Sequence, residues 1–440
     1  MRLKAKEKVA LGKNYWRLFS AHAISNLGDG IAAIAYPWLA SAVTRSPFLI
    51  ALVAVASKLP WLIFTLPAGV ITDRFNRGKI IVAMDIARGC LALLVAIVVT
   101  LESDSLPKLN EVSSLTDLET NWTLYLVLIV TALLFGFAEV LRDNSAQTLL
   151  PSVVEKKNLE SANGKLWSVE YVTNSFVGPP LGSFLLGIAI FLPFYIDSAA
   201  FFISAGLIAT LIPSLKKVDV DKKSEKLNFR AEIKEGFTWL WSHELLRPMA
   251  LILGALNAIG ALTAAVFILF AQEILETSLF IFAVLGTAGA VGGSLGGILG
   301  PKISKKLGSG PSLYLTLISG PIITLIIGLS SSWHLFYLLT AISTIFAVLW
   351  NVITVSLRQS IIPSHLLGRV NSVYRFFAWG SIPIGTLLGG ALVDLVELTG
   401  DREFALRSPY FLSALLGLAL FIFAAPRLTT AKIEAARGSN

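Results

Sequence analysis

Apolar residues in this chain come in long stretches, not in the alternating or one-sided patterns of a water-soluble fold. The stretches 31–43, 49–71, 80–101 and 124–138 open the series. A helix needs roughly 20 apolar residues to cross a hydrocarbon core about 30 Å thick, and several of these stretches approach or exceed that length. The pattern predicts an all-α membrane protein with twelve transmembrane helices. Six lie over 15–43, 47–71, 79–101, 123–143, 166–190 and 193–213. Six more lie over 247–271, 278–300, 312–330, 334–357, 369–396 and 405–426.

Three segments follow: an N-terminal six-helix bundle over 1–213, a linker over 214–246, and a C-terminal bundle with a short tail over 247–440. The linker holds Lys216, Lys217, Lys222, Lys223, Lys226, Arg230 and Lys234. In its second half Phe229, Ile233, Phe237 and Leu240 recur at helical spacing. That spacing fits an amphipathic helix lying on the membrane surface or a solvated linker helix.

Composition agrees. Residues of the AVILMFWYC set make up 55% of the 440, and only 15% are charged, against roughly 25% in soluble domains. A soluble enzyme, a disordered tail and a disulfide-bonded secreted scaffold are excluded. The single cysteine, Cys90, lies in an apolar run and reads as a small buried residue. Tyr15 to Val43 is long enough to span, so no removable signal peptide is expected.

The net charge of +8 would suggest nucleic acid in a soluble protein, and here its position changes its meaning. With the N-terminus inside, most Lys and Arg fall in alternate, cytoplasmic connections, and only Arg45, Lys108, Arg402 and Arg407 fall in outer ones. This is the positive-inside asymmetry. It places the chain in a cell membrane, inner or plasma, with both termini cytoplasmic and no nucleic-acid partner. The outer segment 102–121 is acidic (Glu102, Asp104, Glu111, Asp117, Glu119) and reads as solvated. It ends in Asn121-Trp122-Thr123, a glycosylation sequon in a eukaryotic host.

The two halves share features. Gln147-Thr148-Leu149-Leu150-Pro151, then Leu159-Glu160-Ser161-Ala162-Asn163-Gly164, follows helix 4. Gln359-Ser360-Ile361-Ile362-Pro363, then Leu367-Gly368-Arg369-Val370-Asn371-Ser372, follows helix 10. Gly178-Pro179-Pro180-Leu181-Gly182 in helix 5 corresponds to Gly385-Thr386-Leu387-Leu388-Gly389 in helix 11. Gly69, Asp73, Arg74 and Arg77 match Gly297, Pro301, Lys302 and Lys305 at equal spacing. Parallel repeats of this kind are a transporter plan, with the substrate site at the midplane.

The segment Gly69-Val70-Ile71-Thr72-Asp73-Arg74-Phe75-Asn76-Arg77-Gly78-Lys79 resembles the Gly-x-x-x-Asp-Arg-x-Gly-Arg-Lys/Arg signature of the major facilitator superfamily. Asn76 replaces the usual Gly, Gly78 displaces the trailing basic residue to Lys79, and the second copy has Pro301 where the Asp would stand. A narrower resemblance, to the branch of macrolide-efflux proteins and the enterobactin exporter, rests on Asn26-Leu27-Gly28-Asp29-Gly30, Pro151 and Leu159-x-x-Ala162-Asn163-Gly164. Gly178, Pro179, Pro180 and Gly182 are similar to the glycine-proline element of superfamily antiporters. The resemblance implies a major facilitator fold, two bundles related by a pseudo-two-fold axis, and efflux over uptake. It also implies a conformational latch at Gly69, Asp73, Arg74 and Arg77. Asp73 would pair with Arg74 or Arg77, or face the positive N-terminal end of helix 11.

Charges inside membrane helices are expensive and mark function by default. Asp29 lies roughly 16 Å along helix 1, and Lys58 a similar depth into helix 2. The two can pair, or Lys58 can face a cavity while Asp29 packs in the Gly28–Gly30 bend. Burial and a cationic neighbour act on a carboxylate's proton affinity in opposite senses, a competition that makes a proton switch. Asp85 with Arg88, and Glu139 with Arg142, stand three apart and are expected to neutralise each other. Glu170 and Asn174 share a face of helix 5. Asn257, Trp350 and Asn351 are candidate cavity contacts, and Arg375 either meets an anionic cargo or snorkels. The glycines of helix 8, from Gly286 to Gly297, read as a close-packing face.

No Gly-x-x-x-x-Gly-Lys-Ser/Thr occurs, and His22, His243, His334 and His365 show no metal spacing. The expectation is a monomeric secondary transporter, not an enzyme, without cofactor or metal. It is expected to export small amphipathic, drug- or macrolide-like molecules, driven by the proton gradient. A siderophore, lipid or metabolite transporter stays open, as does a transporter-like receptor or scaffold.

Overall fold

The computed structural model describes residues 11–109, 111–112, 115–155, 158–214, 229–363 and 366–438. Among them there is no strand. The helices are α1 (Gly12–Val43), α2 (Pro47–Ile63), α3 (Thr65–Arg74), α4 (Arg77–Leu101), α5 (Trp122–Val153), α6 (Leu159–Glu170), α7 (Gly178–Ile188), α8 (Leu192–Ala209) and α9 (Phe229–Ser242). The second half holds α10 (Leu246–Ala264), α11 (Phe267–Leu269), α12 (Leu279–Leu307), α13 (Ser309–Leu329), α14 (Trp333–Ile361), α15 (Leu367–Glu397), α16 (Arg402–Ala424) and α17 (Thr430–Gly438).

Among the described residues nine helices are long and apolar enough to cross a membrane. The other three expected spans are helical but differ in kind. The span at 15–43 is the 32-residue α1; that at 47–71 breaks at Phe64 between α2 and α3; that at 166–190 is α6 and α7 joined by a π-helical turn, Tyr171–Val177. The prolines explain the turn. Pro179 and Pro180 have no N–H to give to the preceding carbonyls, so the backbone widens there.

Helix starts follow local chemistry. Asn76, the residue that departs from the superfamily signature, caps α4 by accepting the Lys79 N–H at 3.1 Å. A cap of this kind contributes about 1 kcal/mol. Asn121, in the sequon, instead accepts the Leu124 N–H at 3.1 Å at the start of α5. The preceding outer segment ends pinned, not free: the Asn121 N–H donates to the Val43 carbonyl and Thr120 meets Thr44.

Large apolar side chains face outward in helical stripes. On α4 they are Ile86, Leu94, Ile97 and Leu101, and on α5 Leu126, Val130 and Leu134. In water such a surface would aggregate; against lipid it is stable. Cys90 lies in the α4 stripe and is exposed, so the expected burial gives way to a lipid-facing position.

The described chain clusters into two units. One comprises Met1–Leu39, Ile63–Leu106 and Leu126–Asp221. Its core joins Tyr15, Leu18, Ile81, Leu149, Leu150, Ile208 and Leu211, and α4 packs on α8. The other comprises Ala40–Leu62, Pro107–Tyr125 and Lys222–Asn440. There α10 packs on α15, α12 on α14 and α13 on α16.

The repeated glycines occupy matching crossings. A Cβ on Gly178 would meet the Gly30 carbonyl carbon at 2.7 Å, and one on Gly182 the Ile31 oxygen at 2.7 Å. Likewise Gly385 and Gly389 lie against the carbonyls of Ala258 and Leu262. Thus α7 crosses α1 as α15 crosses α10. The helix-8 stripe is used on one side: Gly292 and Gly296 lie against α14, whereas Gly289 and Gly297 are open.

Helix α9 forms over Phe229–Ser242 and packs one side within the second unit. Leu240 is fully buried in the core of the second unit, Trp241 and Phe237 stack near Phe377 of α15, and Glu235 accepts from Arg369. Protein covers the apolar face at Leu240, while Phe237 and Trp241 each stay 41% exposed.

Candidate functional site

A buried polar network sits among α1, α4, α5 and α8. Gly28 and Gly30 allow it. A Cβ on Gly28 would come within 2.5 Å of the Asp197 Oδ1, and one on Gly30 within 2.6 Å of the Asn174 carbonyl. With neither present, α1 lies close to α8 on one side and to the π-helical turn on the other, and Asp29 between them points at α4.

Asp29 accepts a hydrogen bond from Arg88 Nη2. Arg88 is buried, and its guanidinium also lies over the rings of Phe201 at 4.0 Å and Phe135 at 5.1 Å. Its second carboxylate neighbour, Asp85, stands farther off at 4.0 Å. Asp85 is fully buried and is held by Arg142 Nε at 3.3 Å and by the Ser204 hydroxyl at 2.7 Å. Arg142 reaches Asp143 as well, at 3.3 Å. Glu139 lies within electrostatic reach of Asp29 and Arg88. The result is a chain Asp29–Arg88–Asp85–Arg142–Asp143 spanning three helices.

The expected contact between Asp85 and Arg88 is present at 4.0 Å, with further pairings beside it. Arg88 serves Asp29 on another helix before its own-helix neighbour Asp85, and Arg142 turns to Asp85. Lys58 is exposed and makes no ion pair among the described residues, so Asp29 finds its cation on α4. Glu170, which has no cation nearby in sequence, meets His22 Nε2 at 3.2 Å. Asn174 is half-buried in the π-helical turn, where Gly178, Pro179 and Gly182 are buried beside it and Pro180 is half-buried.

The second-half candidates are dispersed. Asn257 donates to the Ala378 carbonyl at 2.7 Å, so its amide joins two helices. Trp350 is buried in the core of the second unit, its indole N–H unpartnered among the described residues. Asn351 is exposed and donates to Ala347 of its own helix. Arg375 is exposed without an ion pair among the described residues. Of the latch, Gly69, Asp73 and Arg74 end α3, and their side chains lie outside the described residues; Arg77 begins α4.

Two groups of residues went unmarked in the sequence. Asp197 on α8 is buried, and neither carboxylate oxygen has a hydrogen-bond partner among the described residues. The signal was present: one acid inside an apolar run, the criterion that marked Asp29. The other group surrounds Arg45. Its guanidinium bonds Glu273 and, at 2.6 Å, Gln272 Oε1. Arg402 donates to Glu273 at 2.6 Å and Glu397 at 2.6 Å. Nearby, Asp394 accepts from the Phe48 N–H at 3.3 Å at the start of α2. Burial lowers the Arg45 guanidinium's proton affinity, and Glu273 opposes that effect.

A family model for the Major Facilitator Superfamily matches residues 18–385. The multidrug efflux pump Tap of Mycolicibacterium fortuitum is 25% identical over 385 residues, covering 84% of this chain and 87% of the relative. Tap of Mycobacterium tuberculosis is 24% identical over 384 residues, 84% of this chain and 85% of that protein. Among solved structures, a bacterial homologue of the iron transporter ferroportin in an inward-facing state superposes with a TM-score of 0.68 at 15% identity, covering 93% of this chain and 98% of that one. A bacterial homologue of the lysosomal transporter Spinster gives 0.64 at 14% identity, with 96% of each chain covered. At these identities the structural likenesses speak for the fold.

Proposed function

The chain belongs to the Major Facilitator Superfamily and is a multi-pass membrane transporter, and from that premise we propose that it exports small amphipathic, drug-like molecules in exchange for protons. The observation that carries this reading is the Asp29–Arg88 pair in the middle of α1 and α4. A carboxylate in the membrane interior stays ionised while its guanidinium partner is near. A proton or a cationic cargo that takes Asp29 releases Arg88, which is the competition an exchanger needs. The resemblance to pumps described as multidrug efflux pumps supports export. The basic bias of alternate connections supports a cell-membrane location with both termini cytoplasmic. The proton gradient supplies the energy without a bound cofactor, and the monomer is the transporting unit.

The test is transport of ethidium in proteoliposomes under an imposed pH gradient. Gradient-dependent flux above that of protein-free vesicles, abolished by a protonophore, is expected. Flux that is absent, or indifferent to the gradient, overturns the reading.

A further inference from the structure

Asp197 is the most anomalous group in the molecule. It lies on α8 and is 1% exposed, with both oxygens unpartnered among the described residues. The charged and titratable groups that face it are Asp29 and Tyr36 from α1 and Arg88 from α4. Behind these lie Asp85 on α4 and Glu139, Arg142 and Asp143 on α5. The Tyr36 hydroxyl is also buried and is unpartnered among the described residues. The cluster therefore sets five carboxyls, Asp29, Asp85, Glu139, Asp143 and Asp197, against two guanidiniums, Arg88 and Arg142. Of these carboxyls Asp85 and Asp197 are fully buried. Asp85 is held by Arg142 and the Ser204 hydroxyl, whereas an ionised and unpaired Asp197 would carry a large desolvation cost. The carboxyl with no hydrogen bond and no direct cation is the one that stays neutral.

We propose that Asp197 is a proton-binding site, loaded in this conformation and emptied when Arg88 turns from Asp29 to Asp197. Arg88 is placed for both tasks: its Nη2 bonds Asp29, while its Nε is buried and unpartnered. When a proton or a cationic cargo neutralises Asp29, the guanidinium is released. The Asp197 O–H bond then breaks, the proton leaves as H⁺ to water, and the new carboxylate pairs with Arg88. A proton gained at Asp29 and one lost at Asp197 leave the cluster's charge unchanged. A cation gained at Asp29 and a proton lost at Asp197 is antiport. Gly28 is part of the device, because a side chain there would strike the Asp197 carboxyl. The role in transport rests on the proton-exchange reading above; the bound proton does not.

The test has two arms. Infrared spectra of the full chain in lipid, taken across a pH series, report protonated carboxyl groups through their C=O stretch. The wild type is expected to show a band from a carboxyl in an apolar site at neutral pH. Asp197→Asn should lose that band, Asp29→Asn should weaken it at neutral pH because it frees Arg88 to pair with Asp197, and Tyr36→Phe should shift the pH at which it disappears. A wild type without the band, or a band unchanged in Asp197→Asn, overturns the proposal. In the second arm, Asp197→Asn protein with wild-type elution and thermal unfolding should lose pH-gradient-driven ethidium flux. Wild-type flux in that variant overturns the transport role of Asp197. Absence of ethidium flux in the wild type itself defeats the broader function instead, and the infrared arm still decides the proton.

Discussion

Arg45 and Glu273 stand 228 residues apart in the chain and form a buried ion pair, completed by Gln272 and Arg402. Their side chains are 2% and 6% exposed. Removing one member of such a pair strands the other charge, at a cost of about 3–5 kcal/mol. Glu273 serves two arginines and Arg45 only one carboxylate. Glu273→Ala is therefore expected to lower the thermal unfolding temperature in detergent more than Arg45→Ala, which leaves the Glu273–Arg402 pair intact. Equal effects would contradict the shared role of Glu273.

Neighbouring glycines in α12 make a sharp comparison. A Cβ on Gly296 would meet Val348 Cβ at 2.8 Å and Ile345 Cα at 3.1 Å, whereas Gly297 has nothing within 4 Å. Overpacking costs about 1–3 kcal/mol. Gly296→Ala should destabilise by that amount, and Gly297→Ala should be neutral or slightly stabilising in the same unfolding assay.

Helix α9 gives a third prediction. Leu240 is 1% exposed within the core of the second unit, so Leu240→Ala should cost about 2–5 kcal/mol. A helix lying on the bilayer surface would tolerate the change with little effect on thermal unfolding.

His243 predicts a pH dependence. Its Nδ1 accepts the N–H groups of Leu245 and Leu246, both at 3.2 Å, at the start of α10. That geometry requires the neutral ring. Burial lowers the affinity of His243 for a proton, with Glu244 opposing. A group whose folded-state value is depressed adds stability above its unfolded value, about 6.5 for histidine. That contribution is lost as pH falls below it. Thermal stability of the wild type should drop from pH 7 to about pH 5 by more than that of His243→Asn, which can cap without titrating. Parallel pH profiles would contradict the assignment.

Much of the fold was legible because span length is a local property. The matched glycines of the two halves, Gly178 and Gly182 with Gly385 and Gly389, were legible for the same reason, and the structure places both pairs at helix crossings. What failed required knowing a neighbour. Periodicity in α9 identifies an apolar face but not whether lipid or α15 covers it. Depth along a helix made Lys58 the expected partner for Asp29, whereas its bond to Arg88 depends on how α1 and α4 are rotated. Cys90 lies in an apolar run that is buried by lipid, not by protein. Asp197 and Asp29 satisfy the same criterion, a lone acid in an apolar helix, yet only the one flanked by glycines stood out. Arg45 and Glu273 sit at helix ends, where a charge looks solvated until the tertiary contact is seen.

The central claim is that Asp29, paired with Arg88, links cargo movement to protons. Its most direct test is ethidium flux in proteoliposomes, with internal pH recorded at the same time, for wild type and Asp29→Asn. The account predicts that the wild type moves protons and ethidium in opposite directions. It predicts that the variant, folded by elution and thermal unfolding, no longer responds to the pH gradient. Wild-type, gradient-driven flux in Asp29→Asn would contradict it.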